Sequence, residues 1–175
     1  MKQILIWASR IRHCRGFGIQ SPTDYQFVRH VVCQSSPYYA YDEIGKNDSG
    51  WHRRLGRLCF RLANNRQPNT IFDLTGTAEY LHAGCKNATI ATDLKAAEQL
   101  KVIDLAVVPL PCDYPTLFEH CGEQSVAVFY DTDKHRNLWH IIENDDRAVI
   151  TFDLYYCGIV FFTPNRSKQN YIVNI

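Results

Sequence analysis

The stretch "IFDLTGTAEYLHAGC", residues 71–85, begins with apolar residues, reaches an acid at Asp73, turns at Gly76 and then continues at helical spacing through Tyr80 and Leu81. It reads as a strand, a turn on one glycine and the start of a helix. In an α/β protein that junction lies at the carboxyl end of a strand, where ligands collect.

The chain on either side keeps the same rhythm. "TIFDL" (70–74), "ATIATD" (88–93), "DLAVVPL" (104–110) and "SVAVFYD" (125–131) are β-rich runs, and "LKAAEQL", "YPTLFEHC" and "DKHRNLWHIIEN" between and after them are helical. Strands separated by helices need crossovers, which predicts an α/β fold with a mostly parallel sheet and helices on both faces. The end differs: "RAVITFDL", "GIVFFTP" and "NYIVNI" are joined only by turn-like "YYC" and "NRSKQ", so all three are expected to pair as antiparallel strands.

Upstream, Ser21 before Pro22 in "GFGIQSPTDYQFVRHVV" is the N-cap and first-turn pattern of a helix. "SSPYYAYDEIGKNDSG" reads as a loop, after which Trp51 opens a helix with Leu55, Leu58, Cys59 and Leu62 on one face, ending before Pro68. The expected organisation is a helical N-terminal extension, 1–66, packed on a core, 67–175.

A chain of 175 residues with 46% apolar content suits one well-buried core. The start "MKQILIWASRIRHCR" has only about six apolar residues before its arginines, too few for a signal core or membrane span, so a cytoplasmic protein without a membrane partner is expected. The seven cysteines are odd in number, scattered and free of C-x-x-C, which fits reduced thiols. Net charge is +1, against a nucleic-acid-coated protein, but residues 1–66 carry eleven Lys/Arg and four acids (+7) and residues 67–175 carry eight and fourteen (−6). A basic front packed on an acidic body is the preferred reading.

The binding question turns on two acids. Asp73 ends the first strand and Asp93 the second, twenty positions on, the spacing at which an acid holds a cofactor's ribose. The turn itself is poor: a G-x-G-x-x-G loop lets main-chain N–H groups approach a ligand, whereas "DLTGTAEY" offers Gly76 alone, flanked by Thr75 and Thr77.

Taken in order, "GFGIQSPTDYQFV", "RRLGRLCFRLANNRQP", "TIFDLTG", "EYLHAGC" and "VITFDLYYCGIVFF" resemble class I S-adenosylmethionine-dependent methyltransferase-like proteins. Those carry G-(I/V)-x-S-P-F near the start, an acid-Leu-Gly-Thr turn after strand one, a Y-L-A helix and an I-D-L-(F/Y)-x-x-G-I-V-F-F hairpin. The resemblance spans most of the chain and is most specific at its two terminal motifs. It implies a Rossmann-like methyltransferase fold, S-adenosylmethionine as cofactor without a metal, and Asp73, Thr75, Gly76 and Asp93 as the cofactor-binding positions. The departures are specific too. The family's first glycine falls at Thr75, about four turn residues are missing before Tyr80, the stretch after strand two is short, and of an acid-rich D-D-I-H-W-S element only Asp131 has a counterpart. The resemblance therefore implies a shortened member, a pseudoenzyme whose cofactor binding is weak or lost, kept as a ligand-binding or interaction module for an unknown small molecule. The alternative is an active small-molecule methyltransferase, with Asp131 or His135 as the acceptor's base.

Other patterns have plainer readings. Arg54, Arg57 and Arg61 form a stripe that could grip phosphate or RNA, though a solvated or internally paired edge is more common. His30-x-x-Cys33 and His82-x-x-Cys85 have metal-ligand spacing but no enforced proximity, so packing is preferred. Tyr38, Tyr39 and Tyr41 are expected to seal the arm onto the core, Asp133 to cap the helix after it, and the apolar C-terminal hairpin to offer an edge for a homodimer.

Overall fold

Along Ile103–Pro109 alternate side chains go to opposite sides: Leu105 and Val107 enter one apolar cluster, Ala106 and Val108 another. A strand apolar on both faces belongs inside a sheet covered on both faces. The computed structural model, which describes residues 2–175 with side chains from Ile6 onward, has that architecture. Its helices are α1 (Lys2–Ser9), α2 (Pro22–Phe27), α3 (Gly50–Arg66), α4 (Ala78–Gly84), α5 (Leu94–Ala97), α6 (Tyr114–Glu119) and α7 (Arg136–Asn144). Its strands are β1 (Thr70–Asp73), β2 (Thr89–Ala91), β3 (Ile103–Pro109), β4 (Cys121–Tyr130), β5 (Ile150–Asp153), β6 (Cys157–Phe161) and β7 (Gln169–Ile172).

The seven strands form one sheet in the order β2-β1-β3-β4-β6-β5-β7. Neighbours are parallel except where β6 lies between β4 and β5 and runs against both. This is the expected α/β, Rossmann-like sheet with its C-terminal antiparallel hairpin. One strand corrects the expectation: β7 pairs parallel with β5, Gln169 opposite Ile150 and Ile172 opposite Asp153. The segment after β6 crosses back before it pairs, and an apolar run carries no sign of its direction. The β5–β6 hairpin is internal, since β6 lies between β4 and β5, and β7 forms the edge beside β5.

On one face α3 supplies Leu55, Leu58, Cys59 and Leu62 and α4 supplies Leu81, against Ile71, Val107, Val128 and Ile159. On the other, Leu117 and Phe118 of α6 and Trp139 and Ile142 of α7 cover Ala106, Ala127 and Phe129. Trp139 lies across Gly158, where a Cβ would come 2.1 Å from the indole. Helices α3 and α4 approach backbone to backbone, because a Cβ on Gly84 would stand 2.4 Å from the Phe60 carbonyl.

Local signals explain the front helices. Ser21 Oγ accepts from the Asp24 amide with Pro22 in the first turn, and α2 runs on through a π-helical turn at Val28–Val32. Ser49 accepts from the His52 amide, and α3 ends where Gln67 turns left-handed (φ 48°) ahead of Pro68. Asp133 does not cap α7, whose first turn begins at Arg136 with His135 in the cap position.

The front is tied to the body through buried charge. Arg136 donates to both Asp153 oxygens at 3.2 and 2.7 Å, Arg10 donates to Asp153 Oδ1 at 3.3 Å, and the Tyr155 amide donates at 2.7 Å. Burial alone would raise this carboxyl, but the Arg136 hydrogen bond and the Arg10 and Arg136 charges hold it below the usual carboxylate range. A second tie has the opposite polarity: Arg166 of the C-terminal segment grips buried Asp24 at 2.9 and 2.7 Å.

Replacing Asp153 strands two guanidinium groups, so Asp153→Asn is expected to destabilise by about 3 kcal/mol in urea unfolding. Because the folded-state carboxyl titrates below the unfolded one, the wild-type advantage should be complete above about pH 4 and shrink as pH falls through the folded value. Gly84→Ala, which drives a methyl into a backbone carbonyl, should cost about 1–3 kcal/mol in the same assay.

Candidate functional site

The period of two that buries Ile71 under α3 aims Asp73 to the same side. There Asp73 Oδ1 accepts the Thr75 amide at 2.9 Å, the Thr75 hydroxyl at 2.7 Å and the Thr77 hydroxyl at 3.2 Å. Its Oδ2 is buried without a hydrogen-bond partner. Gly76 takes φ 75°, a conformation that favours glycine, and is exposed, with His52 Cε1 the nearest atom to its Cβ direction at 3.9 Å. Beneath the turn, Thr77 touches the Cys59 thiol, which burial and then the Asp73 charge push up to about 12 against the Thr77 hydrogen bond.

The helix beyond the turn is locked under α3. The Tyr80 ring fills the space beside Gly56, and its hydroxyl donates to Asp48 Oδ2 at 2.7 Å. Burial and that carboxylate push the Tyr80 phenol up to about 12. Asp93 stands past β2, beside β1, exposed, with Oδ1 accepting the Ala96 amide at 2.8 Å as the cap of α5. Asp73, Thr75 and Gly76 therefore share one turn, and Asp93 follows the adjacent strand.

The fit to a nucleotide cofactor is divided. The partnerless Asp73 Oδ2 and the open side of Gly76 suit a bound donor, whereas Thr75 and Thr77 already close the other carboxylate oxygen over the turn. Two large cavities, of about 630 and 700 Å³, lie elsewhere, and none of the four predicted positions lines either.

The acceptor-side candidates separate from the cavities as well. Asp131 follows β4 in a left-handed conformation (φ 62°) and pairs with Lys134 at 3.0 Å, while His135 stands at the N-cap position of α7 without a side-chain cap bond; neither lines a large cavity. The arginine stripe divides by function. Arg61 donates to the Val31 and Val32 carbonyls and to the Tyr41 hydroxyl, and so holds the arm, whereas Arg57 lies over the Tyr41 ring at 4.6 Å and Arg54 is exposed. Tyr38 and Tyr41 pack on Phe60 of α3, inside the 1–66 segment itself, and Tyr39 is 96% exposed.

The 630 Å³ cavity is what the sequence does not reveal. It lies between α1, α3, the loop before Tyr41 and the Leu154–Cys157 turn, with Trp51, Tyr155 and Tyr156 in its lining. Two of those residues read only as a turn and the third only as a helix start. The one signal available was that Trp51, Arg54 and Arg57 share a helical face.

A search of solved structures finds a methyltransferase from Geobacter sulfurreducens, at 10% identity and a TM-score of 0.51, over 93% of this chain and 96% of that one. The fold is methyltransferase-like. No family model matches the chain, and no curated protein does either. In this methyltransferase-like fold the β1 turn and the end of β2 occupy the carboxyl edge of the parallel strands, where the resemblance assigns the cofactor. Among the described residues no group of three His, Cys, Asp or Glu side chains could hold a metal ion, and no helix is long and apolar enough to cross a membrane.

Burial raises the Cys157 thiol far above its ordinary value, as it does Cys59. Iodoacetamide at pH 8 should leave both unmodified in the folded protein and label them after unfolding, as read by peptide mass spectrometry.

Proposed function

We propose that the protein is a ligand-binding module on a methyltransferase-like fold, with S-adenosylmethionine bound weakly or not at all at the β1 turn. The observation that carries this reading is the Asp73 carboxylate, closed on one side by Thr75 and Thr77, in a turn with Gly76 as its only glycine. Ligands of nucleotide type need small residues at that corner so that the main chain can come close, and here two branched hydroxyl side chains flank the glycine. The cavity space in the Trp51 region supports binding of some other ligand.

A second reading has its own observation. The buried Asp73 Oδ2 lacks a donor, and Gly76 leaves open space, which favours an active small-molecule methyltransferase with a rebuilt loop. A bound S-adenosylmethionine supplies an activated methyl group; Asp73, Thr75, Gly76 and Asp93 would hold it, and Asp131 or His135 would take the acceptor's proton. The phosphate- or RNA-binding alternative keeps only Arg54 and Arg57 of its stripe, because Arg61 is spent on main-chain carbonyls.

Calorimetry with S-adenosylhomocysteine decides between the first two. The proposal expects no saturable heat up to about 1 mM ligand, a free energy of no more than about 4 kcal/mol. Micromolar binding that Asp93→Ala weakens would instead overturn the weak-site reading.

A further inference from the structure

We propose that the 630 Å³ cavity between α1, α3 and the Leu154–Cys157 turn binds a flat aromatic molecule bearing an oxyanion, its ring against Trp51 and Tyr156 and its anion held by Arg54 and Arg57. This rests on the reading of the protein as a ligand-binding module, and not on the state of the β1 turn.

Shape comes first. The volume falls within the roughly 300–1,000 Å³ of small-molecule sites. Its floor is apolar and rigid, since Val32, Leu55, Leu58 and Leu154 are all at most 5% exposed. Its aromatic wall is braced from behind: Trp51 meets Tyr156 edge to face at 4.5 Å and stacks on Tyr130 at 6.1 Å. Such a wall offers a planar guest ring dispersion and stacking without loss of side-chain freedom.

Charge comes second. The charged side chains lining the cavity are Arg54, Arg57, Arg61 and Asp42. Arg61 has its donors committed to carbonyls and a hydroxyl, and Asp42, exposed like Arg54, sets one negative charge against three arginines, so the lining side chains stay net positive. Arg57 lies over the Tyr41 ring, which leaves its N–H edges for a ligand, and Arg54 is one helical turn away on the same face. Asp153, close by in sequence to the Leu154–Cys157 turn, is neutralised by Arg10 and Arg136 and does not offset them. Two adjacent guanidinium groups above an apolar floor select a planar oxyanion, carboxylate or phosphate, over a neutral or cationic guest.

The test is calorimetry on the full chain with 2-naphthoate, 2-naphthyl phosphate and the neutral 2-naphthamide. At least one anion should bind with one-to-one stoichiometry and the amide at least tenfold more weakly; the stronger anion identifies the oxyanion chemistry. Arg54→Gln and Arg57→Gln should each weaken that anion by roughly tenfold, and Trp51→Leu should weaken all three probes. Arg54 is exposed, so its variant carries the test even if Arg57→Gln or Trp51→Leu fails to fold. Equal binding of the amide, anion binding unchanged in Arg54→Gln, or no saturable binding of either anion would overturn the proposal. S-adenosylhomocysteine titrated into the same sample separates the failures: its tight binding overturns the proposed function, while naphthoate or naphthyl phosphate binding still sustains this cavity.

Discussion

The structure depends on one buried carboxylate. Asp153 ends β5 at 3% exposure and gathers Arg10 from the front of the chain, Arg136 from α7 and the amide of the turn into β6. Three segments distant in sequence are fixed in one place because a charge inside a protein must find partners. Its main-chain oxygen also accepts from Arg10, so the strand end is held by backbone as well as side chain. With Arg10 anchored, the chain from α1 lies against the end of the sheet, and the Trp51 cavity acquires its outer wall.

A second acid, Asp73, is used differently. It holds its own turn rather than a distant segment, and keeps one oxygen buried and free. The contrast sets two ends of the same sheet apart: β5 ends in a carboxylate paired with two guanidinium groups, of which Arg10 keeps a buried Nε without a partner, and β1 ends in a local knot of hydroxyls around an unsatisfied carboxylate oxygen. An unsatisfied buried oxygen is costly for a fold to carry, which is why the β1 turn remains of interest even though the large cavities are elsewhere.

Much of this was legible from one dimension. Alternation of apolar runs with helical ones gave the parallel sheet, Ser21–Pro22 gave a helix start, and Leu55, Leu58, Cys59 and Leu62 gave the buried face of α3. What was not legible needed two segments to meet. The direction of β7 depends on a crossover, the role of Arg61 on carbonyls thirty residues upstream, and the partners of Asp153 on Arg10, 143 positions away. Asp133 looked like a cap because helix starts are marked by residue type, but residues 132–134 form a turn, closed by the Lys134 amide donating to the Asp131 carbonyl, and α7 starts only at Arg136. For the site, three of the four expected cofactor positions share the β1 turn and Asp93 follows the adjacent strand, whereas the cavity is assembled from five separate stretches and has no motif.

The two rims of the sheet are short. At one, β2 is Thr89–Ala91; at the other, β7 is Gln169–Ile172, with Gln169, Asn170 and Ile172 exposed. A foreign strand needs a long, flat, apolar template to zip onto, and neither rim provides more than four residues of one. The molecule is thereby guarded against sheet-to-sheet polymerisation at both ends, leaving contacts with other macromolecules to its helices and loops.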